Sequence, residues 1–254
     1  MTSFTLKIIA LITMFIDHLG YAIFNKFSFF NYIGRVAFPI FAFQISEGFH
    51  YTKNVKKYFA RLLLFAIFSQ IPFMLFLSIF SNNIYKLNVF FTLFLGLFSI
   101  YIYDKIINSF YITSNVKLNN FLKFVLGISI VLFIGFIAEF LKSDYGLFGI
   151  AVIFLFYLFK NNKIAMIGTY IVVCIIKYGI LYFANPNYMY LILCCCTISP
   201  IIFICLYNKQ QGHKIKYLLY FFYPIHLLVL YLLHISQFFI NKFVFLLYKT
   251  SVLI

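Results

Sequence analysis

The run Leu6–Phe24, LKIIALITMFIDHLGYAIF, is almost wholly apolar yet carries Asp17 and His18 side by side past its midpoint. A hydrocarbon core about 30 Å thick needs about 20 consecutive apolar residues in a helix, so the run reads as a transmembrane helix. An ionisable side chain at that depth costs at least about 2.5 kcal/mol, and such residues face a partner, a cavity or a reaction site. The pair is therefore the point from which fold and function are read. No small-residue cleavage pattern follows it, so the run is expected to be a retained helix rather than a signal peptide.

The rest of the chain repeats the pattern. Of 254 residues, 65% are hydrophobic and 10% charged, with mean hydropathy +1.02, whereas a soluble domain carries about 25% charged residues. Further apolar segments lie near 33–49, 59–80, 88–107, 120–141, 145–160, 164–184, 188–207 and 216–240. The expectation is an all-α polytopic membrane protein, residues 1–254 forming a single domain, a bundle of about nine (eight to ten) transmembrane helices around a central polar cavity. The segment after Asn241 is apolar but short and reads equally as a tenth, re-entrant or interfacial helix. The abundance of Phe, Tyr, Ile and Asn matches an AT-rich, bacterial genome, and most aromatic residues read as lipid-facing or filling.

Lys and Arg number 20 against 5 Asp and Glu, but they fall between apolar runs rather than on one amphipathic face. A positive-inside distribution accounts for them better than nucleic acid does. With a cytoplasmic N-terminus, Lys7, Lys53, Lys56, Lys57, Arg61, Lys105, Lys117, Lys123, Lys160, Lys163, Lys209, Lys214 and Lys216 collect inside. Lys26, Arg35, Lys86, Lys142 and Lys242 remain outside. The chain is thus placed in the cytoplasmic (inner) membrane, multi-pass. Cys194, Cys195 and Cys196 are consecutive, and no CxxC pair exists, so no metal site is expected.

Asp17 and His18 lie about 17 Å along the helix from Leu6, at 1.5 Å per residue. Arg35 enters the second span from the same side, and an Asp17–Arg35 ion pair would ease the burial of both. Successive helix positions do not face each other, so Asp17 is not the orienting partner of His18; His226 or a backbone carbonyl would be. In the second span Arg35, Pro39, Ala42 and Ser46 share a face with Glu47 beside it, and Pro39 is expected to kink the helix. Asn88, Thr92, Gly96 and Ser99 form one stripe of the fourth span, either cavity lining or small-residue packing. Tyr223, His226, Leu230 and His234 share a face of the ninth, beside Pro224. Asp144, in the turn DYG, reads as a helix cap or as the lining of an entrance. Glu139 with Lys142 and Asp104 with Lys105 read as interfacial pairs, and His50 and His213 as solvated loop residues.

The stretches KIIALITMFIDHLG (7–20), IGRVAFPIFAF (33–43) and SEGF (46–49) resemble the N-terminal signature of the TraX family, whose founding activity is N-terminal acetylation of conjugative pilin. RLLLFAIFSQIP (61–72), NVFFTLFLGL (88–97), DYGLFG (144–149) and YPIHLL (223–228) resemble later blocks of that family, in order. More distantly the chain is similar to the transmembrane acyltransferase superfamily, which moves acetyl groups from cytoplasmic acetyl-CoA to acceptors across the membrane. The resemblance implies an integral membrane acetyltransferase with acetyl-CoA as donor and the N-terminal amine of a peptide or pilin-like protein as acceptor.

The chemistry fits the residues. Acetyl transfer needs a base active near pH 7, and His is the side chain whose unperturbed pKa lies there; His18 is the candidate base, with Asp17, Arg35 and His226 around it. Arg35, Asn88, Thr92 or Tyr223 would donate to the oxyanion. Lys53, Lys56, Lys57 and Arg61 suit the phosphates of CoA, and Glu47 and Asp144 complete the cavity. Two alternatives stand beside this reading. One is a proton-coupled transporter, against which no internal repeat is evident; the other is an O-acetyltransferase acting on a glycan, lipid or metabolite.

Overall fold

A computed structural model describes residues 1–109, 112–113 and 115–251, with the side chains of 109, 216 and 238–251 outside the description. Each apolar segment of the sequence is helical. The helices are α1 (Ser3–Phe24), α2 (Phe29–Gly34), α3 (Ala37–Tyr51), α4 (Val55–Leu77), α5 (Val89–Ser109), α6 (Val116–Phe140), α7 (Gly146–Leu158), α8 (Lys163–Ala184), α9 (Met189–Ile198), α10 (Ile201–Cys205) and α11 (Lys216–Ser251). Six of them, α1, α4, α5, α6, α8 and the Tyr217–Gln237 part of α11, are long and apolar enough to cross a membrane. The 13 residues of α7 cover about 20 Å at 1.5 Å per residue, and α3 and the α9–α10 pair are also short.

Two sequence expectations change here. The second span does not begin at Arg35 and is not kinked by Pro39. It starts as the separate helix α2, turns at Arg35 and Val36, and resumes as α3 at Ala37. Pro39 therefore sits in the first turn of α3, where a backbone N–H has no intrahelical acceptor to lose. The segment after Asn241 prolongs α11 without a break.

Local chemistry sets the boundaries. Asn54, Asn115 and Asn162 each precede a helix and accept a hydrogen bond from the backbone N–H three residues on, satisfying a donor that the helix leaves free. Asn25, in the left-handed conformation at φ 55°, ends α1 by donating its N–H to the Tyr21 carbonyl. Packing then sorts the helices. The short α7 lies innermost, against α3, α5, α6 and α8, with Ile150, Val152 and Ile153 fully buried. Large apolar side chains of the long helices, among them Phe68, Ile71, Phe133, Phe136, Ile180 and Ile225, point outward. So large an apolar exterior is what a lipid environment accepts and water does not. The chain is a helical membrane protein.

The bundle has two chemically distinct ends. At one, the amino-terminal residues hydrogen bond with the loop before α11 through Ser3 N–H to the Gln210 carbonyl (2.8 Å) and Asn208 N–H to the Met1 carbonyl (2.9 Å). Ser3 Oγ also donates to Gln44 Oε1 in the middle of α3, 2.8 Å away. At the other end α1 and α2 meet beside Asp17.

Candidate active site

Asp17 is held by three contacts from α2 and the turn after it. Asn31 Nδ2 donates to its backbone carbonyl at 2.9 Å and to Oδ1 at 3.0 Å, and an Arg35 guanidinium nitrogen lies 3.2 Å from the same Oδ1. Asn31 is itself fixed, its Oδ1 accepting from the Ser28 N–H at 2.6 Å. Arg35 Nε donates back to the Asn31 carbonyl at 3.1 Å. The close approach of α2 to α1 requires two glycines: a side chain at Gly20 would collide with Phe30 and Ser28, and one at Gly34 with Asp17 itself. The expected Asp17–Arg35 pair is therefore present, with Asn31 as a third member that the sequence reading did not name.

His18 belongs to a different network. Its Nδ1 lies 2.7 Å from Nε2 of His226, and the two rings stack at 5.0 Å and 19°. Nδ1 of His226 is 2.7 Å from the Phe222 carbonyl oxygen. A carbonyl only accepts, so in the neutral pair Nδ1 of His226 carries its proton and its Nε2 is the acceptor. His18 must then donate from Nδ1, which leaves its Nε2 as an unprotonated lone pair. The carbonyl of Phe222 thus fixes the tautomer of His18 through His226, the geometry a general base requires. Phe76 and Tyr223 meet the His18 ring edge-on at 5.0 and 6.2 Å.

A cavity of about 670 Å³ opens at the end that carries Lys7 and Lys209. Along α1 it runs from Ser3 to Met14, about 16 Å at 1.5 Å per residue, and His18 lies one turn beyond Met14 on the same face. Along α11 it is lined by Leu219, Tyr220 and Tyr223, and His226 follows Tyr223 at the next position of that face. Both histidines therefore continue the helix faces that line the cavity, with Tyr223 as the wall shared between cavity and imidazoles.

The other sequence candidates separate into groups. Glu47 and Arg61 line the cavity, whereas Lys53, Lys56 and Lys57 lie exposed at the α3–α4 connection and are not among its walls. Lys7, Gln44, Tyr207 and Lys209 line it and were missed; the spacing Lys7, Leu11, Met14, His18 was the available signal. The Asn88–Ser99 stripe packs. Asn88 donates to the Ala66 carbonyl at 2.7 Å and to Gln70 Oε1 at 2.9 Å and accepts from the Phe90 N–H at 3.0 Å. Thr92 and Gly96 face α7, and Ser99 bonds the Gly96 carbonyl. Asn88, Thr92, Gly96 and Ser99 are not among the residues that line the cavity.

Glu139, not Asp144, caps α7, accepting the Leu147 N–H at 3.0 Å. Asp144 lies in the turn between α6 and α7, near Arg35 and Lys177; burial pushes its carboxyl up to about 6, against the opposing pull of Arg35. Asp104 accepts from Tyr157 Oη at 2.8 Å and Asn108 Nδ2 at 3.1 Å rather than pairing with Lys105. His50 is not solvated: it stacks on Tyr157 at 5.1 Å and meets Lys160 Nζ at 2.8 Å. His213 packs against Phe4 at 5.4 Å, and His234 Nδ1 lies 3.0 Å from the Ala22 carbonyl. Lys177, set within a span, places its ammonium 3.9 Å over the Phe148 ring.

Comparison with known proteins agrees with the sequence blocks. The chain is 24% identical over 250 residues to a probable fimbrial assembly protein, FimC of serogroup H1, from Dichelobacter nodosus, covering 90% of this chain and 94% of that one. No solved structure matches. The profile of the TraX protein family matches residues 3–234, spanning both histidines, the Asp17–Arg35 pair and the cavity, and the chain belongs to that family.

Proposed function

We propose that this chain is an integral membrane acetyltransferase that moves an acetyl group from cytoplasmic acetyl-CoA to the N-terminal amine of a peptide or pilin-like protein, with His18 as general base. The observation that carries the reading is the His18–His226–Phe222 relay at the end of the helix faces that line a cavity with a basic mouth. Membership of the TraX family and the likeness to a fimbrial assembly protein support the acceptor class.

In this mechanism Nε2 of His18 takes a proton as the acceptor amine attacks the thioester carbonyl. The new C–N bond forms, the C–S bond breaks, and the imidazolium returns the proton to the departing thiolate. His226 holds the productive tautomer and shares the transient charge. Tyr223, at the closed end of the cavity, is placed to donate to the oxyanion. Asp17, Asn31 and Arg35 fix α2 against α1 and so set the position of His18 on its helix.

The lysine-rich end faces the cytoplasm in this reading, by the positive-inside preference, and the end bearing Arg35 and Asp144 faces outward. Nine crossings follow if α3, α7 and α9–α10 are counted with the six long helices; α7 is short without exposing its backbone to lipid because other helices surround it.

The test is consumption of labelled acetyl-CoA by the purified protein, with and without an N-terminal peptide acceptor. His18→Ala is expected to lower turnover by about 10²–10⁴-fold, the usual contribution of a general base, in a protein that still inserts and folds, though less stable because buried His226 loses its partner. Undiminished turnover in that variant removes His18 from the mechanism. Absence of acetyl-CoA consumption together with proton-linked uptake in vesicles assigns the bundle to transport instead.

A further inference from the structure

The cavity holds an unusual set of polar atoms. Gln44 Nε2, Glu47 Oε2 and Arg61 Nε are buried without a hydrogen-bond partner among the described residues, and all three side chains line the same space. A buried donor or acceptor left unpaired costs about 1–3 kcal/mol, more for a charged group, so their clustering points to a ligand that satisfies them. Lys7 and Lys209 stand on the same walls. Lys209 is held in the left-handed conformation at φ 61°, in a loop pinned by the Ser3–Gln210 and Asn208–Met1 backbone bonds.

Three cations call for a multiply charged anion, and phosphate oxygens answer both the guanidinium and the ammonium groups. Glu47 narrows the choice. Its carboxylate already accepts from Tyr207, but the unpaired Oε2 repels a bare phosphate and is satisfied by an N–H or O–H donor beyond a ligand's charged end; Gln44 Nε2 needs an acceptor. A phosphorylated arm containing amide groups supplies both. We infer that this cavity is the donor subsite, with Lys7, Arg61 and Lys209 on the phosphates of a nucleotide-linked thioester and Glu47 and Gln44 on an amide of its arm. The exposed Lys53, Lys56 and Lys57 have no part in it. The inference rests on the acetyl-transfer reading and adds to it the residues that hold the donor's phosphates and its amide arm.

Equilibrium binding of CoA and of adenosine 3′,5′-bisphosphate to the purified full chain tests it. Lys209→Glu, on an exposed loop, is expected to weaken both ligands by about tenfold or more, the scale of one lost charge-assisted contact. Glu47→Gln, which keeps the side chain's shape, is expected to weaken CoA by about tenfold and leave the bisphosphate, which lacks the arm, unchanged or tighter. If wild type binds CoA but both variants bind it equally well, while Lys53, Lys56 and Lys57 changed together to Ala abolish binding, the subsite is wrong and the acetyl-transfer reading stands. If wild type binds no CoA, both fall. A short-chain phosphatidylethanolamine that displaces CoA at equal concentration would assign the cavity to a lipid headgroup and overturn the inference.

Discussion

A carboxylate and a guanidinium brought out of water are stable only together. Asp17 and Arg35 are 14% and 22% exposed at 3.2 Å, so removing one partner leaves the other without its counter-charge, held only by Asn31. Arg35→Ala is expected to destabilise the protein by about 3 kcal/mol, the lower end for a broken buried pair, and Asp17→Asn added to it should recover much of that loss. Thermal unfolding in detergent reads both, and a double variant no more stable than the single one would deny the pairing its weight. The Asp17–Arg35 pair was legible in the sequence, and His226 as one of two candidate partners of His18, because an intramembrane polar group demands a partner and few polar residues are available to serve. Asn31 was not, since a neutral amide carries no such demand and its place against Asp17 depends on the turn that sets α2 across α1.

At the level of the element, hydropathy marked each long helix but could not say which way it is rotated. The stripe from Asn88 to Ser99 has the spacing of a cavity wall and equally that of a packed seam; the seam wins because Gln70 and the Ala66 carbonyl lie opposite Asn88 and α7 lies opposite Thr92 and Gly96. Asn88→Ala should therefore lower stability by about 2 kcal/mol by stranding buried partners, seen as a lower melting temperature. An unchanged melting temperature would return Asn88 to the list of free polar groups. Likewise the turn DYG contained a plausible cap in Asp144, yet the cap comes from Glu139 at the end of α6, because the turn folds α7 back against α6 and brings the carboxylate to the Leu147 N–H. Short helices such as α2 and α10 escape a window about 20 residues wide, which merges them with the longer runs beside them.

Over the whole molecule, the polarity of the two ends carries the orientation proposed above. Cysteine introduced at Lys26 should react with a membrane-impermeant thiol reagent on intact cells, and cysteine at Lys53 only after lysis; the reverse pattern would invert the topology and with it the side of donor entry. The sequence by itself determined the membrane class, the helical identity of each apolar run and the need for intramembrane charges to be paired, since these follow from composition and spacing summed locally along the chain. Only the tertiary structure decided that His18 meets His226 across 208 positions, that Lys7 and Lys209 rather than the denser Lys53–Lys57 cluster border the cavity, and that α7 is the buried centre. Those facts depend on how each helix is rotated and which helices touch, and packing across the bundle sets both where no local signal reaches.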